Sequence, residues 1–191
     1  RGGDMHYVDQ NGDHRIDSKD RVALGSAAPD FFGGFYTQFK YKGFALGAEF
    51  SYSKGNMAYN AVRNQLEGMN TLGNQSIAVL NRWSLDGQVT NMPRVQHNDP
   101  YRSTSFSERW LEDASYLRMK SVTLSYSFDK TVLNFFRSGT LYVSGENLLT
   151  ATKYLGLDPE FSYSYGETSQ GLDYAKMVQP KSVKFGVNLK F

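Results

Sequence analysis

The chain contains no cysteine among its 191 residues, so disulfides, thiolate metal sites and cysteine nucleophiles are excluded. It also lacks any apolar run close to the roughly 20 residues that a membrane-spanning helix needs, and its mean hydropathy is −0.52. An excess of one charge is missing too, since 21 Lys and Arg residues nearly balance 19 Asp and Glu residues. Without a basic cluster, the composition does not favour nucleic-acid binding.

Motifs for catalysis are also lacking. The sequence has no phosphate-binding glycine loop, zinc motif or nucleophile elbow. Its three histidines are scattered and make no metal-ligand spacing: His6, His14 and His97. Glu108, Glu112 and Asp113 suggest paired carboxylates, but a solvated junction between a loop and a strand is the favoured interpretation. We therefore predict that the protein is not an enzyme.

Aromatic residues and glycine are abundant, with 13 Tyr, 13 Phe and 18 Gly, whereas Pro is scarce at 5. This composition with negative hydropathy is typical of a transmembrane β-barrel, in which only every second residue of a strand faces lipid. A soluble β-sandwich can share the composition, so the pattern along the chain has to distinguish the two.

Strict alternation marks the predicted strands. Residues 31–54 are predicted to form a hairpin that turns at Lys42-Gly43, and its second arm places Phe44, Leu46, Ala48, Phe50 and Tyr52 on one face. Residues 114–149 are predicted to hold two strands joined at 129–138. Residues 181–191 form the last predicted strand. The prediction is an all-β fold with about five antiparallel strands.

The predicted connections alternate between short and long, as they do in outer-membrane barrels. The short ones, at 42–43 and 129–138, are predicted to be periplasmic. The long ones, at 1–30, 55–113 and 150–180, are predicted to be extracellular loops, with short helices between Ala58 and Trp83. Because five strands do not close a barrel, the chain is expected to be part of a larger transmembrane β-barrel.

The end of the last predicted strand resembles the assembly signal of outer-membrane barrels. Lys184, Gly186, Leu189 and Phe191 occupy the polar, glycine, apolar and terminal aromatic positions of that signal. An ordinary amphipathic terminal strand is the alternative interpretation.

Several longer segments carry a more specific resemblance. They are Gly3-Asp4 to Asp20-Arg21, Pro29 to Phe35, Arg82-Trp83-Ser84 with Thr90 to Arg94, Leu111 to Tyr126, and Leu141 to Thr150 with Lys153-Tyr154 and Gly156 to Glu160. In this order they resemble the C-terminal region of the SusC/RagA family of TonB-linked outer-membrane proteins.

The resemblance implies a plugged barrel of roughly 22 strands in the outer membrane of a Gram-negative bacterium. It implies import of glycans or peptides with a SusD-like surface lipoprotein as a lid, and energy from the TonB complex. The expected partners are the N-terminal part of the same transporter, the lipoprotein, the TonB complex and the lipid bilayer. The alternatives are a passive porin or autotransporter barrel, and a soluble calcium-stabilised β-module that binds glycan.

A stretch near the start resembles an EF-hand or dockerin calcium loop. Oxygen ligands fall at alternate positions, which lets a tight loop direct them at one ion: Asp9, Asn11, Asp13, the Arg15 carbonyl, Asp17 and Asp20. His14 stands where such loops have glycine, and Asp20 replaces the usual glutamate. Calcium is therefore expected as a weakly bound cofactor, and an acidic surface turn without an ion is the alternative.

Four aromatic residues lie in or beside the predicted extracellular loops: Trp83, Tyr101, Trp110 and Tyr154. They are candidates for stacking on substrate or pressing against a lid protein. A place at the membrane interface or in the core of a loop is the favoured alternative.

Overall fold

The computed structural model describes residues 2–129, 137–161 and 169–191, and these divide into two compact units. The first unit comprises the described residues of Arg1–Ala27, Ala58–Glu112 and Ser162–Lys176. The second comprises those of Ala28–Met57, Asp113–Phe161 and Met177–Phe191.

The strands and the α-helix occupy the following ranges: β1 Phe31–Tyr41, β2 Phe44–Lys54, β3 Met57–Asn60, α1 Ala61–Glu67, β4 Leu111–Asp113, β5 Tyr116–Asp129, β6 Ser138–Thr152, β7 Leu172–Asp173 and β8 Ser182–Lys190. Three short 3₁₀ turns lie at Ser18–Asp20, Ile77–Asn81 and Glu108–Trp110.

The second unit is built on a five-stranded antiparallel sheet in the order β1-β2-β5-β6-β8. The β1–β2 hairpin pairs from Tyr41↔Phe44 to Phe31↔Lys54. Its two-residue turn places Lys42 at φ 44° and Gly43 at φ 86°. Positive φ at both positions matches the twist of the flanking strands, so the Lys-Gly pair sets the register of the hairpin.

One face of this sheet is apolar from edge to edge. Cross-strand partners on this face include Phe35↔Phe50, whose rings stack at 4.7 Å, and Phe44↔Tyr126, whose rings lie 4.6 Å apart. These side chains remain open to the surroundings, with Phe39 69% and Phe185 80% exposed. The sheet therefore presents a broad apolar surface that a protein in water would have to cover.

The opposite face is polar. Thr123 donates to Ser144 at 3.0 Å, and Lys184 lies 2.5 Å from the Glu146 carboxylate on the neighbouring strand. The alternation of small polar and apolar residues along each strand produces these two faces, because successive side chains point to opposite sides.

The edges of the sheet are β1 and β8, and each pairs on one side only among the described residues. A sheet edge carries backbone N–H and C=O groups that need partners. An apolar face with two such edges is suited to a wall that continues on both sides.

The first unit holds a small sheet in the order β4-β3-β7, in which β3 and β7 run parallel. Helix α1 begins at the Asn60 cap, whose side chain accepts the Arg63 N–H. Met69, Val79 and Met92 form a local core, with Ala78 packed against them. No helix in the described ranges is long and apolar enough to cross a membrane.

The five long strands lie where alternation places them, and short helices occur between residues 58 and 83. The sequence did not predict β3 and β4, which give residues 55–113 more regular structure than a loop, or β7, which lies within residues 150–180. Parts of the predicted connections at 129–138 and 150–180, namely residues 130–136 and 162–168, lie outside the described residues. The side of the membrane predicted for each connection stays a prediction.

Candidate functional site

A charged cluster lies on the polar face of the sheet near the start of β5. Arg118, which is 3% exposed, donates to Asp158 and, at 3.0 Å, to Glu160. Its Nε also donates to the Thr150 hydroxyl at 3.1 Å. Lys120 adds bonds of 2.7 and 2.8 Å to the Glu160 carboxylate. The cluster fastens the segment that follows β6 onto the polar face.

Asp158 is the centre of this cluster. Besides the Arg118 guanidinium, it accepts the Glu160 N–H at 2.9 Å and the Gln179 N–H at 3.3 Å. Burial raises the pKa of its carboxyl, but these donors outweigh burial and hold the pKa below its ordinary value. An ionised Asp158 thus joins β5, the segment after β6 and the segment before β8.

A second cluster surrounds Trp110 in the first unit. The guanidinium carbons of Arg109 and Arg63 lie 5.0 and 5.5 Å from the Trp110 ring, which is 1% exposed. Arg63 also pairs with Glu112 at 2.7 Å and with Glu67 at 3.0 Å. This arrangement is a closed structural core, because its charges are neutralised by one another and its ring is covered.

The calcium-like loop folds tightly around its own acidic side chains. Asp9 accepts the Gly12 and His14 N–H groups at 2.7 Å each, and Asp20 accepts the Gln10 and Asp17 N–H groups at 2.9 and 2.8 Å. The N–H donors of Asp17 and Gln10 hold the pKa of Asp20 below its ordinary value. His14 adopts φ 61°, the left-handed conformation for which glycine is otherwise used.

The other expected calcium ligands also take part in this loop. Asn11 accepts the Asp13 N–H and Asp13 accepts the Arg15 N–H, both at 2.9 Å, while Asp17 caps the 3₁₀ turn by accepting the Lys19 N–H at 2.7 Å. Each carboxylate oxygen retains lone pairs beyond these bonds. No group of three or more His, Cys, Asp and Glu side chains suited to a metal occurs in the described part of the chain. Calcium binding stays a prediction.

Two of the four assembly-signal positions have clear structural partners. Lys184 pairs with Glu146, and Gly186 lies directly opposite Tyr142, where an added Cβ would overlap the tyrosine ring. Leu189 and Phe191 are 39% and 80% exposed. Recognition of these residues by an assembly machinery stays a prediction.

The four candidate aromatics have different environments. Trp110 and Tyr154 are buried, and Tyr154 stacks on Phe161 at 5.5 Å, so the loop-core interpretation describes both. Tyr101 is 41% exposed beneath the Arg94 guanidinium, and Trp83 is half-buried beside Gly3. Trp83 and Tyr101 are the two that keep surface for contact with another molecule.

The three carboxylates that the sequence suggested as a pair, Glu108, Glu112 and Asp113, have separate contacts. In the first unit, Glu112 is paired with Arg63 and Glu108 begins a 3₁₀ turn. In the second unit, Asp113 lies 3.7 Å from Lys54. Sequence reasoning missed the Arg118–Asp158–Glu160 cluster. Its residues are some 40 positions apart, and the one available hint is a charged pair, Arg118 and Lys120, inside a strand whose only other charged residue is the terminal Asp129.

No protein-family model matches the chain. Among curated proteins, the TonB-dependent receptor P3 of Formosa agariphila is 32% identical over the whole chain, which covers 19% of that receptor. The TonB-dependent receptor SusC of Bacteroides thetaiotaomicron is 26% identical over 97% of the chain and 17% of its own length. The chain thus spans about a fifth of the length of these relatives.

Solved structures give the same result for the fold. The match to the RagAB peptide transporter covers 93% of this chain and 19% of the transporter chain, with 28% identity and a TM-score of 0.76. The RagAB peptide importer in its open-open state matches 97% of this chain and 20% of its own, with 27% identity and a TM-score of 0.74.

Proposed function

We infer that this chain, which belongs to the SusC/RagA family of TonB-dependent receptors, supplies part of the barrel wall of an outer-membrane importer. The observation that carries the inference is the five-stranded sheet with one apolar face, one polar face and two edges open among the described residues. In a barrel the apolar face contacts lipid, the polar face lines the interior, and each edge pairs with a further strand.

In our proposal the chain contributes the five long strands of its main sheet to this wall. The remaining strands and the plug come from the rest of the same transporter, giving a barrel of about 22 strands. The short β1–β2 turn then lies at the periplasmic rim, and the long connections at 1–30, 55–113 and 150–180 are extracellular. This placement follows the rhythm of short and long connections, which outer-membrane barrels share.

The proposed cargo is a glycan or a peptide, and the proposed partners are a SusD-like surface lipoprotein and the TonB complex. SusC and the RagAB peptide transporter, which the chain resembles, support this class of assembly. Trp83 and Tyr101 are the loop aromatics available for contact with cargo or lipoprotein. The proposal contains no catalytic step, because the relatives are described as receptors and a transporter.

Comparison with the soluble alternative favours the membrane. A soluble calcium-stabilised β-module has to bury the apolar face of its sheet in a core. Phe39 and Phe185 stay largely exposed on that face, at opposite edges of the sheet. Lipid covers such a surface without any further protein layer, as the exterior of a barrel requires.

Fractionation of the source cells tests the proposed function. The outer membrane is extracted in mild detergent, and the species that contains this sequence is identified by intact mass spectrometry. The proposal predicts the sequence in the outer membrane, within or tightly bound to a much larger protein. Recovery as a free soluble monomer of 21.6 kDa would contradict it.

We also propose that Asp9, Asn11, Asp13, the Arg15 carbonyl, Asp17 and Asp20 hold a calcium ion that stiffens their loop. Calorimetric titration of the full-length transporter with Ca²⁺ checks this. Asp9→Asn with Asp13→Asn should weaken binding, because two anionic ligands are lost. Asp86→Asn, which changes an exposed aspartate outside the loop, serves as the control. Equal calcium binding by both variants would contradict the proposal.

A further inference from the structure

An open groove of about 550 Å³ lies in the second unit, at the end of the sheet from which the long connections leave. Its floor is a row of cross-strand partners on the apolar face: Tyr52 pairs with Leu117, and Leu117 pairs with Ala151. Phe31 extends the row, with its ring 6.1 Å from that of Tyr52. The floor is thus continuous with the apolar surface of the sheet.

The border of the groove is charged. Lys54 and Lys153 line it, each two residues beyond a floor residue on its own segment, after Tyr52 and Ala151 respectively. Asp113 lies 3.7 Å from the Lys54 Nζ and accepts the Ser115 N–H at 2.9 Å. Hydrogen bonds from Ser115, with the charges of Lys54 and Lys153, hold the pKa of Asp113 below its ordinary value. The residues that line the groove thus carry two positive charges, on Lys54 and Lys153, against the one negative charge of Asp113.

We propose that this groove binds a phosphorylated glycolipid of the surrounding outer leaflet, with acyl chains on the Tyr52–Leu117–Ala151 floor and a phosphate between Lys54 and Lys153. The proposal rests on the proposed function, which places the apolar face in lipid and this end of the sheet at the cell surface.

Charge and geometry favour this occupant over a soluble one. A lysine at the border of an apolar surface can lay its stem along that surface and keep its ammonium group at the level of lipid headgroups. A free anion would gain nothing from the aromatic and aliphatic floor. A neutral lipid would gain nothing from the lysine pair, which attracts anionic headgroups.

The chain offers a matched control at the opposite end of the same face. Lys42, in the β1–β2 turn, lies 5.3 Å from the Tyr41 ring, so it is also a lysine beside an aromatic residue at the border of the apolar face. It is not among the groove residues. Lys42→Gln therefore removes one border lysine and leaves the groove intact.

The test uses the full-length transporter, purified and stripped of lipid, with lipid A monophosphate and its dephosphorylated form as probes. Native mass spectrometry measures the retained lipid. Wild type and Lys42→Gln should retain the monophosphate equally. Lys54→Gln with Lys153→Gln should retain about tenfold less, because each lysine near an anionic headgroup contributes to binding. All three proteins should hold the dephosphorylated lipid at the same low level.

Equal retention of the monophosphate by wild type and the double variant would overturn the proposal. Displacement of the lipid by millimolar inorganic phosphate would also overturn it, since the groove would then be a free-anion site. Failure of the proposed function has a different signature, because the sequence would be absent from the outer-membrane fraction irrespective of these lysines.

Discussion

At the scale of single residues, the contact between Gly186 and Tyr142 joins β8 to β6. The two residues are directly paired, and the tyrosine ring occupies the space that a Cβ at position 186 would take. Glycine normally weakens a strand, so a strand glycine covered by an aromatic ring from its neighbour has a packing reason. The same residue is a candidate position of the assembly signal, and the structure adds this second role.

Substitution of Gly186 by alanine should weaken the seam between β6 and β8. The added methyl group has to displace the Tyr142 ring, and overpacking of this kind costs about 1–3 kcal/mol. Guanidinium unfolding of the full-length transporter, read from its loss of folded-barrel mobility on gels, measures the change.

Two further variants make this prediction specific. Gly73→Ala introduces the same methyl group where the nearest atom is the Thr71 hydroxyl oxygen at 3.6 Å, and it should have little effect. Tyr142→Ala should recover much of the stability lost by Gly186→Ala, because the methyl group then has room. Additive losses in the double variant would show that the two residues do not interact.

At the scale of elements, sequence alternation predicted the strands because each shows a different chemistry on its two faces. The prediction missed the bulge in β5 between Met119 and Ser121, where the pairing with both neighbouring strands skips Lys120. It also missed β3, β4 and β7, because strands of two to four residues are too short for a period to appear.

The charged clusters were beyond sequence reasoning for a different reason. Arg63 and Glu112 are 49 residues apart, and Arg118 and Asp158 are 40 apart. A single sequence shows local periodicity and turn residues. These pairs depend instead on which distant segments the fold brings together. The calcium-like loop is the opposite case, since all its candidate ligands lie within twelve consecutive residues and its positive φ at His14 follows from the motif.

The segment held by Asp158 should loosen in acid. The folded pKa of Asp158 is lowered below the unfolded value, so its ionised form favours the folded state. Its contribution is present above the unfolded pKa of about 3.8 and is lost as the pH falls through the lower folded pKa. Hydrogen exchange at the Glu160 and Gln179 amides, corrected for the intrinsic effect of pH, should therefore be slow at pH 7 and become faster as the pH falls below 3.8 and Asp158 takes up a proton.

The variant Asp158→Asn separates this effect from general acid unfolding. It should give fast exchange at the same two amides already at pH 7, because a neutral amide pairs weakly with Arg118 and leaves that buried guanidinium without one of its two carboxylate partners. The control is Asp129→Asn at the far end of β5, which should leave both amides slow. Equal exchange in all three proteins at pH 7 would contradict the role given to Asp158.

At the scale of the whole molecule, the proposed function makes the chain one part of a larger barrel wall. The chain matches about a fifth of the length of its relatives, and the two edges of its main sheet pair on one side only among the described residues. The proposal accounts for both features, because further strands of the same receptor would complete the wall. In the proposed wall, the apolar face contacts lipid and the polar face lines the interior. The charged border of the groove lies at the level of the lipid headgroups.

Cysteine scanning along β2 tests the central claim, that this sheet is a lipid-facing wall, most directly. The chain has no cysteine of its own, so single cysteines replace Phe44 to Ser51 one at a time in the full-length transporter in outer membranes. The account predicts that cysteines at Phe44, Leu46, Ala48 and Phe50 react with a lipid-soluble thiol reagent. It predicts labelling by a water-soluble reagent at Ala45, Gly47, Glu49 and Ser51. Equal labelling of both sets by the water-soluble reagent would contradict a membrane wall.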